Sequence, residues 1–225
     1  MKFSGLQKTS LIDFPDRVAS VLYTPGCNLC CPYCHNWRIA FHPSPPFLSE
    51  EDALRILESR KKYVDAVVVT GGEPTIHEDL PRFLEILKKR GFRVKLDTNG
   101  FRPRVLEKSL PWVDYVALDI KTSPERYASL GAYDVAPLFE SIKILKKGST
   151  DYEFRTTAVP SIVDEETVKR IGEMVRDAKR FAIQQFVAEN AYSVDYRTIK
   201  PYSPETLRHF ANVLRKFVGE AVVRA

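Results

Sequence analysis

Two hydrophobic registers alternate along this chain. Short continuous β-branched runs are separated by longer segments in which apolar positions recur every three or four residues. Val18–Tyr23 reads as a first buried strand, broken by Thr24-Pro25-Gly26. Beyond a polar loop and the proline-rich connector His42–Pro46, Ser49 starts a helix, with Asp52 three residues on and Ala53, Leu54 and Leu57 inward. Ala66–Thr70 is a second strand of the kind buried on both faces, closed by Gly71-Gly72-Glu73-Pro74. Leu80, Phe83, Leu84 and Leu87 then mark an amphipathic helix, stopped by Gly91 after its basic last turn. The unit repeats: strand Phe92–Leu96 ended by Asp97-Thr98-Asn99-Gly100, helix 103–109, strand Tyr115–Leu118 ended by Asp119-Ile120-Lys121, helix 137–147. A fifth strand, Tyr152–Val159, precedes a helix capped by Asp164, and Phe181–Val187 is the sixth. After a polar loop over 188–202, Ser203-Pro204 opens a last helix with Leu207, Phe210, Ala211, Leu214 and Phe217 inward. Residues 1–16 show no clear period.

Six strands alternating with helices imply βα units and a parallel sheet. An open doubly wound sheet and an incomplete α/β barrel both fit that count. The polar residues favour the second. Cys27–Cys34, Glu73, Asp97, Asp119, Lys121, Arg155 and Gln184-Gln185 all fall in or just after strands, and such positions converge only around a common axis. The expected fold is therefore α/β, an incomplete (β/α)6 barrel of parallel strands with the cysteine loop after the first. We expect a single domain: an N-terminal extension over 1–17, a barrel core over 18–187, then a loop and helix over 188–225.

With 44% hydrophobic and 28% charged residues in 225, the chain supports one sizeable core and is not disordered. Its net charge of +5 comes without a run of like charges or an aromatic-interleaved basic stripe, so nucleic acid is not an expected partner. Neither a signal peptide nor a membrane span is visible in the hydropathy, which leads us to expect a cytoplasmic protein with no membrane partner.

All four cysteines lie within eight residues, Cys27-Asn28-Leu29-Cys30-Cys31-Pro32-Tyr33-Cys34. Two C-x2-C pairs joined without a spacer would make a four-thiolate zinc site. That geometry is awkward, because Cys30 and Cys31 are adjacent and project differently. The alternative, Cys27-x3-Cys31-x2-Cys34, gives three ligands; on a cubane iron–sulfur cluster it leaves one iron open for catalysis. A thioredoxin-like dithiol would leave two cysteines unexplained.

Cys27-x3-Cys31-x2-Cys34 with Tyr33 before the last cysteine, placed after the first strand, resembles the signature of the radical S-adenosylmethionine (radical SAM) superfamily. Gly71-Gly72-Glu73-Pro74 resembles that family's GGEP motif. Asp97-Thr98-Asn99-Gly100 and Asp119-Ile120-Lys121 resemble segments of its glycyl-radical activating branch. Cys34-His35-Asn36 and Ser10-Leu11-Ile12-Asp13-Phe14-Pro15 narrow the resemblance to activating proteins of anaerobic ribonucleoside-triphosphate reductase.

The resemblance implies that Cys27, Cys31 and Cys34 hold a [4Fe-4S] cluster whose open iron binds S-adenosylmethionine. One-electron reduction then yields a 5′-deoxyadenosyl radical, which removes a hydrogen from a backbone glycine of a partner. It implies a flavodoxin or ferredoxin-type electron donor. Gly71 and Gly72 would let backbone approach the methionine moiety, and Glu73 would hold its amino group directly or by orienting the loop. Asp97 would accept from that amino group, Asp119 from ribose hydroxyls, and Lys121 would pair with the carboxylate. Asp97, Thr98 and Asp119 also make a candidate oxygen-rich cation site. Arg155, within the fifth strand, requires an anionic partner. The histidine that some activating enzymes carry after the sixth strand is missing from Phe186-Val187-Ala188-Glu189-Asn190, and there is no cysteine set for an auxiliary cluster. Two competing functions stay open here: a radical SAM enzyme acting on a small molecule, and a non-catalytic metal-binding module.

Overall fold

The structure, a computed structural model, describes residues 1–224. In chain order its elements are β1 (Lys2–Phe3), β2 (Gly5–Phe14), β3 (Arg17–Thr24), α1 (Trp37–Phe41), β4 (Leu48–Ser49), α2 (Glu50–Arg60), β5 (Ala66–Gly71), α3 (Leu80–Lys89), β6 (Arg93–Thr98), α4 (Pro103–Ser109), β7 (Tyr115–Asp119), α5 (Ala136–Lys147), β8 (Asp151–Ala158), α6 (Glu165–Met174), β9 (Arg180–Gln185), α7 (Pro204–Leu214) and β10 (Glu220–Arg224). Caps hold the helices where the sequence places them: Ser49, Asp164 and Ser203 accept from the N–H groups of Asp52, Thr167 and Thr206.

The large sheet has the order β10-β9-β8-β7-β6-β5-β3-β2. Its seven strands from β3 to β10 are parallel and laid down in chain order; β2 is antiparallel to β3. A doubly wound sheet would reverse its strand order at a switch point, and none occurs. With right-handed crossovers, laying every strand on the same side of the last puts the helices on one face. The packing agrees: Val67, Val69, Leu96, Leu118 and Phe154 join the helices in one large core, while Ala19, Val21, Ala66, Val68 and Tyr115 form a second cluster on the opposite face, without helix residues. The curled sheet is thus a partial barrel, open between β2 and β10. Strand alternation puts Lys95, Asp97, Asp119, Glu153 and Arg155 on the inner face.

Four boundaries differ from expectation. Residues 1–16 are not irregular, because β1 and β2 lie there. The β2–β3 ladder slips register twice, and Leu11 and Ile12 are 75% and 88% exposed, so the apolar period of a strand is broken. The strand expected over 92–96 runs on to Thr98, drawing Asp97 and Thr98 into the ladder with Ala117 and Leu118. The sixth expected strand stops at Gln185, two residues short. The chain does not finish in a helix: Glu220–Arg224 adds a seventh parallel strand, a run too short to read from periodicity. No helix among the described residues is long and apolar enough to cross a membrane.

Candidate active site

The cysteine loop hangs from the C-terminal end of β3 and is clamped by backbone. Gly26 N–H donates to Ile39 O (2.8 Å), Cys30 N–H to Leu130 O (2.8 Å) and Ser193 N–H to Pro32 O (2.8 Å). Segments after β7 and β9 therefore fix a loop that follows β3. His35 Nε2 lies 2.5 Å from Val187 O, tying the loop to the segment just after β9.

The Gly71-Gly72 pair packs directly against the cysteine loop. A Cβ on Gly71 would lie 2.3 Å from Thr24 N, and one on Gly72 only 1.8 Å from Gly26 O. Both glycines are required by the cysteine loop's own backbone. Gly72 N–H donates to Thr24 O (2.9 Å) and Glu73 N–H to Gly26 O (2.8 Å), a sheet-like clasp that fixes Cys27 against the β5 turn.

Glu73 is 1% exposed and fully engaged. Its Oε1 accepts from Thr75 N–H (3.0 Å), Thr75 Oγ1 (2.5 Å) and Thr98 Oγ1 (2.7 Å), and its Oε2 from Asn99 N–H (2.6 Å). Burial raises its carboxyl above the usual carboxylate range against the pull of these donors. Glu73 thus ties the β5 turn to the end of β6.

Cys27, Cys31 and Cys34 line one pocket together with Tyr33, Gly71, Gly72, Glu73, Asp97, Thr98, Asp119, Lys121 and Arg155. Every residue expected to hold the cluster or S-adenosylmethionine is there, whereas Gln184 and Gln185 are not. Cys30 is not: it is exposed, and its Sγ faces Gly131. Three of the four cysteines thus line the pocket. Among the described residues, no group of three or more His, Cys, Asp or Glu side chains converges as single-ion ligands. The donor chemistry suits a cluster: three sulfurs reach the pocket, and the space continues past them to a polar wall. Burial pushes the Cys27 thiol up to about 12 and the Cys31 thiol up to about 11, and raises Cys34 also; Lys121 opposes all three. A bound iron charge is what would hold them as thiolates.

The polar wall is one alternating ion-pair chain. Lys95 Nζ pairs with Asp97 Oδ1; Asp97 Oδ2 pairs with Arg155 Nη2 (3.1 Å); Arg155 Nε pairs with Asp119 Oδ1; Asp119 Oδ2 pairs with Lys121 Nζ (3.2 Å). Arg155 thus finds its required anions within the protein. Burial disfavours both carboxylates, yet Arg155, with Lys95 at Asp97 and Lys121 at Asp119, holds both below the usual aspartate range. Burial also lowers Lys95, against Asp97 beside it. Lys121 is further positioned by Tyr127, whose hydroxyl accepts from its backbone N–H (2.8 Å).

Sequence reasoning missed Asn99, whose amide donates to Asn28 Oδ1 (2.8 Å) across the cysteine loop, and Lys95. Asn99 sat inside a quoted motif but was given no role. Lys95 lies two residues before Asp97, on the same strand face, and that spacing was the available signal.

The family model described as the radical SAM superfamily matches residues 21–178. The chain belongs to the radical SAM superfamily. Among curated relatives, a "putative glycyl-radical enzyme activating enzyme" of Methanocaldococcus jannaschii is 32% identical over 98% of this chain and 95% of that protein. The pyruvate formate-lyase-activating enzyme of Clostridium pasteurianum is 26% identical over 79% of this chain and 77% of that protein. Among solved structures, QueE from Escherichia coli covers all of this chain and 93% of its own (TM-score 0.60, 17% identity). Streptococcus suis SuiB bound to S-adenosylmethionine aligns over 91% of this chain (TM-score 0.67, 19% identity), which spans about half of SuiB's length. This radical SAM protein is accordingly an enzyme of the glycyl-radical activating family, with a [4Fe-4S] cluster and S-adenosylmethionine as cofactors.

Proposed function

We propose that this protein activates anaerobic ribonucleoside-triphosphate reductase by generating its glycyl radical, using electrons from a flavodoxin or ferredoxin-type donor in the cytoplasm. The observation that carries the site assignment is the selection of Cys27, Cys31 and Cys34, with Cys30 turned away, on the edge of one pocket with the polar wall opposite. In this proposal the three thiolates hold the cluster. Tyr33 and Leu29 pack the apolar side of the loop. Arg155 and Lys121 present positive charge to the methionine carboxylate. Gly71, Gly72, Glu73 and Thr98 hold the turn that faces the methionine end, and Asp97 and Asp119 fix the cations. When bound, the cluster and S-adenosylmethionine supply one-electron cleavage of the sulfonium and hydrogen-atom abstraction. We also propose that residues 1–225 act as one domain, since β2 and β10 complete the same sheet.

The reductase is the partner favoured by the Ser10–Pro15 and Cys34-His35-Asn36 segments. The test is electron paramagnetic resonance of the reductase after anaerobic incubation with reconstituted, reduced protein and S-adenosylmethionine. A glycyl radical doublet is expected. No doublet on the reductase, in a mixture that consumes S-adenosylmethionine, would redirect the proposal to another glycyl-radical enzyme or to a small molecule.

A further inference from the structure

Lys95 is a buried charge in the lumen of the barrel to which no role has yet been given. Lys95 is 2% exposed, lies on the inner face of β6 and ends at Asp97. With it in place, every oxygen of the Asp97/Asp119 pair has a cationic partner from the protein: Asp97 has Lys95 and Arg155, and Asp119 has Arg155 and Lys121. The third oxygen of the candidate cation site, Thr98 Oγ1, donates to Glu73 and accepts from Gly100 N–H (3.1 Å). The oxygen set that sequence marks as a cation site is therefore satisfied from within.

A metal cation at Asp97 would have to displace the Lys95 ammonium from Oδ1 or Arg155 from Oδ2. Without Lys95, Asp97 would have a free buried oxygen able to recruit a cation.

We propose that Lys95 is a built-in cation: its ammonium fills the position at Asp97 that a metal ion would take, so that this protein binds S-adenosylmethionine without a metal cation at the acidic pair. Lys95 is a positioning residue. It acts through Asp97 and Arg155 on the methionine carboxylate and touches neither cofactor. This rests on the S-adenosylmethionine assignment above.

The test is equilibrium dialysis of labelled S-adenosylmethionine against the reconstituted holoprotein. The buffer holds tetramethylammonium as its only cation, or the same ionic strength with sodium, potassium or magnesium. For the wild-type protein the dissociation constant is expected to change by less than about twofold across the four buffers. Lys95→Met, which keeps length and removes charge, is expected to lose about tenfold in affinity in tetramethylammonium and to recover most of it with potassium or sodium. A merely structural role for Lys95 would not give cation-specific recovery. A wild-type affinity that rises about tenfold on adding a metal cation would overturn the proposal. So would a folded, cluster-loaded Lys95→Met that binds like wild type in every buffer. If Lys95→Met fails to fold, the wild-type titration decides alone. Wild-type holoprotein that binds no S-adenosylmethionine in any buffer would instead overturn the cofactor assignment, and the role of Lys95 with it.

Discussion

Replacing Gly72 by alanine tests the clasp between the β5 turn and the cysteine loop. The new Cβ would sit 1.8 Å from Gly26 O and 2.7 Å from Gly26 C, whereas real Cβ atoms stay beyond 3.0 Å. The two backbones must separate by roughly 1.2 Å. Such a shift breaks or stretches the bonds from Gly72 N–H to Thr24 O and from Glu73 N–H to Gly26 O. Overpacking contributes about 1–3 kcal/mol and each lost hydrogen bond about 1 kcal/mol, so the cost is about 3–5 kcal/mol. For a chain of this size that corresponds to a melting temperature lower by about 10 °C. Cysteine placement should suffer too, because Gly26 precedes Cys27. Gly5→Ala is the control: nothing lies within 4 Å of its added Cβ, so it should melt within about 1 °C of wild type. The assays are thermal unfolding by circular dichroism and iron bound per chain after reconstitution. A Gly72→Ala protein with wild-type melting and full iron content would refute the clasp.

Cys30→Ala should retain the cluster spectrum and iron content, while alanine at Cys27, Cys31 or Cys34 should abolish both; loss of the cluster in Cys30→Ala would restore the four-thiolate arrangement. Arg224→Ala should destabilise by about 3 kcal/mol in denaturant unfolding, because it leaves the fully buried Glu153 carboxylate with only the Tyr115 hydroxyl (3.1 Å); adding Glu153→Gln should recover part of the loss. Acid unfolding should report Asp97 and Asp119. Both are held below the usual range by their cationic partners, so the stability they confer is complete above the unfolded aspartate value of about 3.9 and is lost as pH falls through their folded values. Cluster-free Asp119→Asn should therefore show a shallower fall in stability below pH 4 than wild type; equal slopes would contradict the ion-pair chain.

The six central strands were legible because a parallel strand covered on both faces is a short unbroken β-branched run, as in Ala66–Thr70. The edges were not. β2 carries exposed Leu11 and Ile12 on a slipped register, and β10 offers only Ala221-Val222-Val223 before Arg224. Site membership was legible because strand ends at the carboxyl side of such a sheet converge, and all twelve chosen residues share the pocket. What they do there was less so. Sequence gives the spacing of Gly71-Gly72 but not that Gly26 O lies where the second Cβ would be. It gives Asp97 and Asp119 as free acids, whereas tertiary structure brings Arg155 from β8 to both. Pairings across strands depend on register, which no local pattern encodes.

The most direct test of the account is S-adenosylmethionine cleavage by the isolated protein. The protein is reconstituted anaerobically with iron and sulfide, reduced, and given S-adenosylmethionine, and 5′-deoxyadenosine is quantified beside a Cys31→Ala control. The account predicts 5′-deoxyadenosine and methionine in equal amounts from the wild type and none from the mutant. A reduced, cluster-loaded wild-type protein that leaves S-adenosylmethionine intact would contradict it.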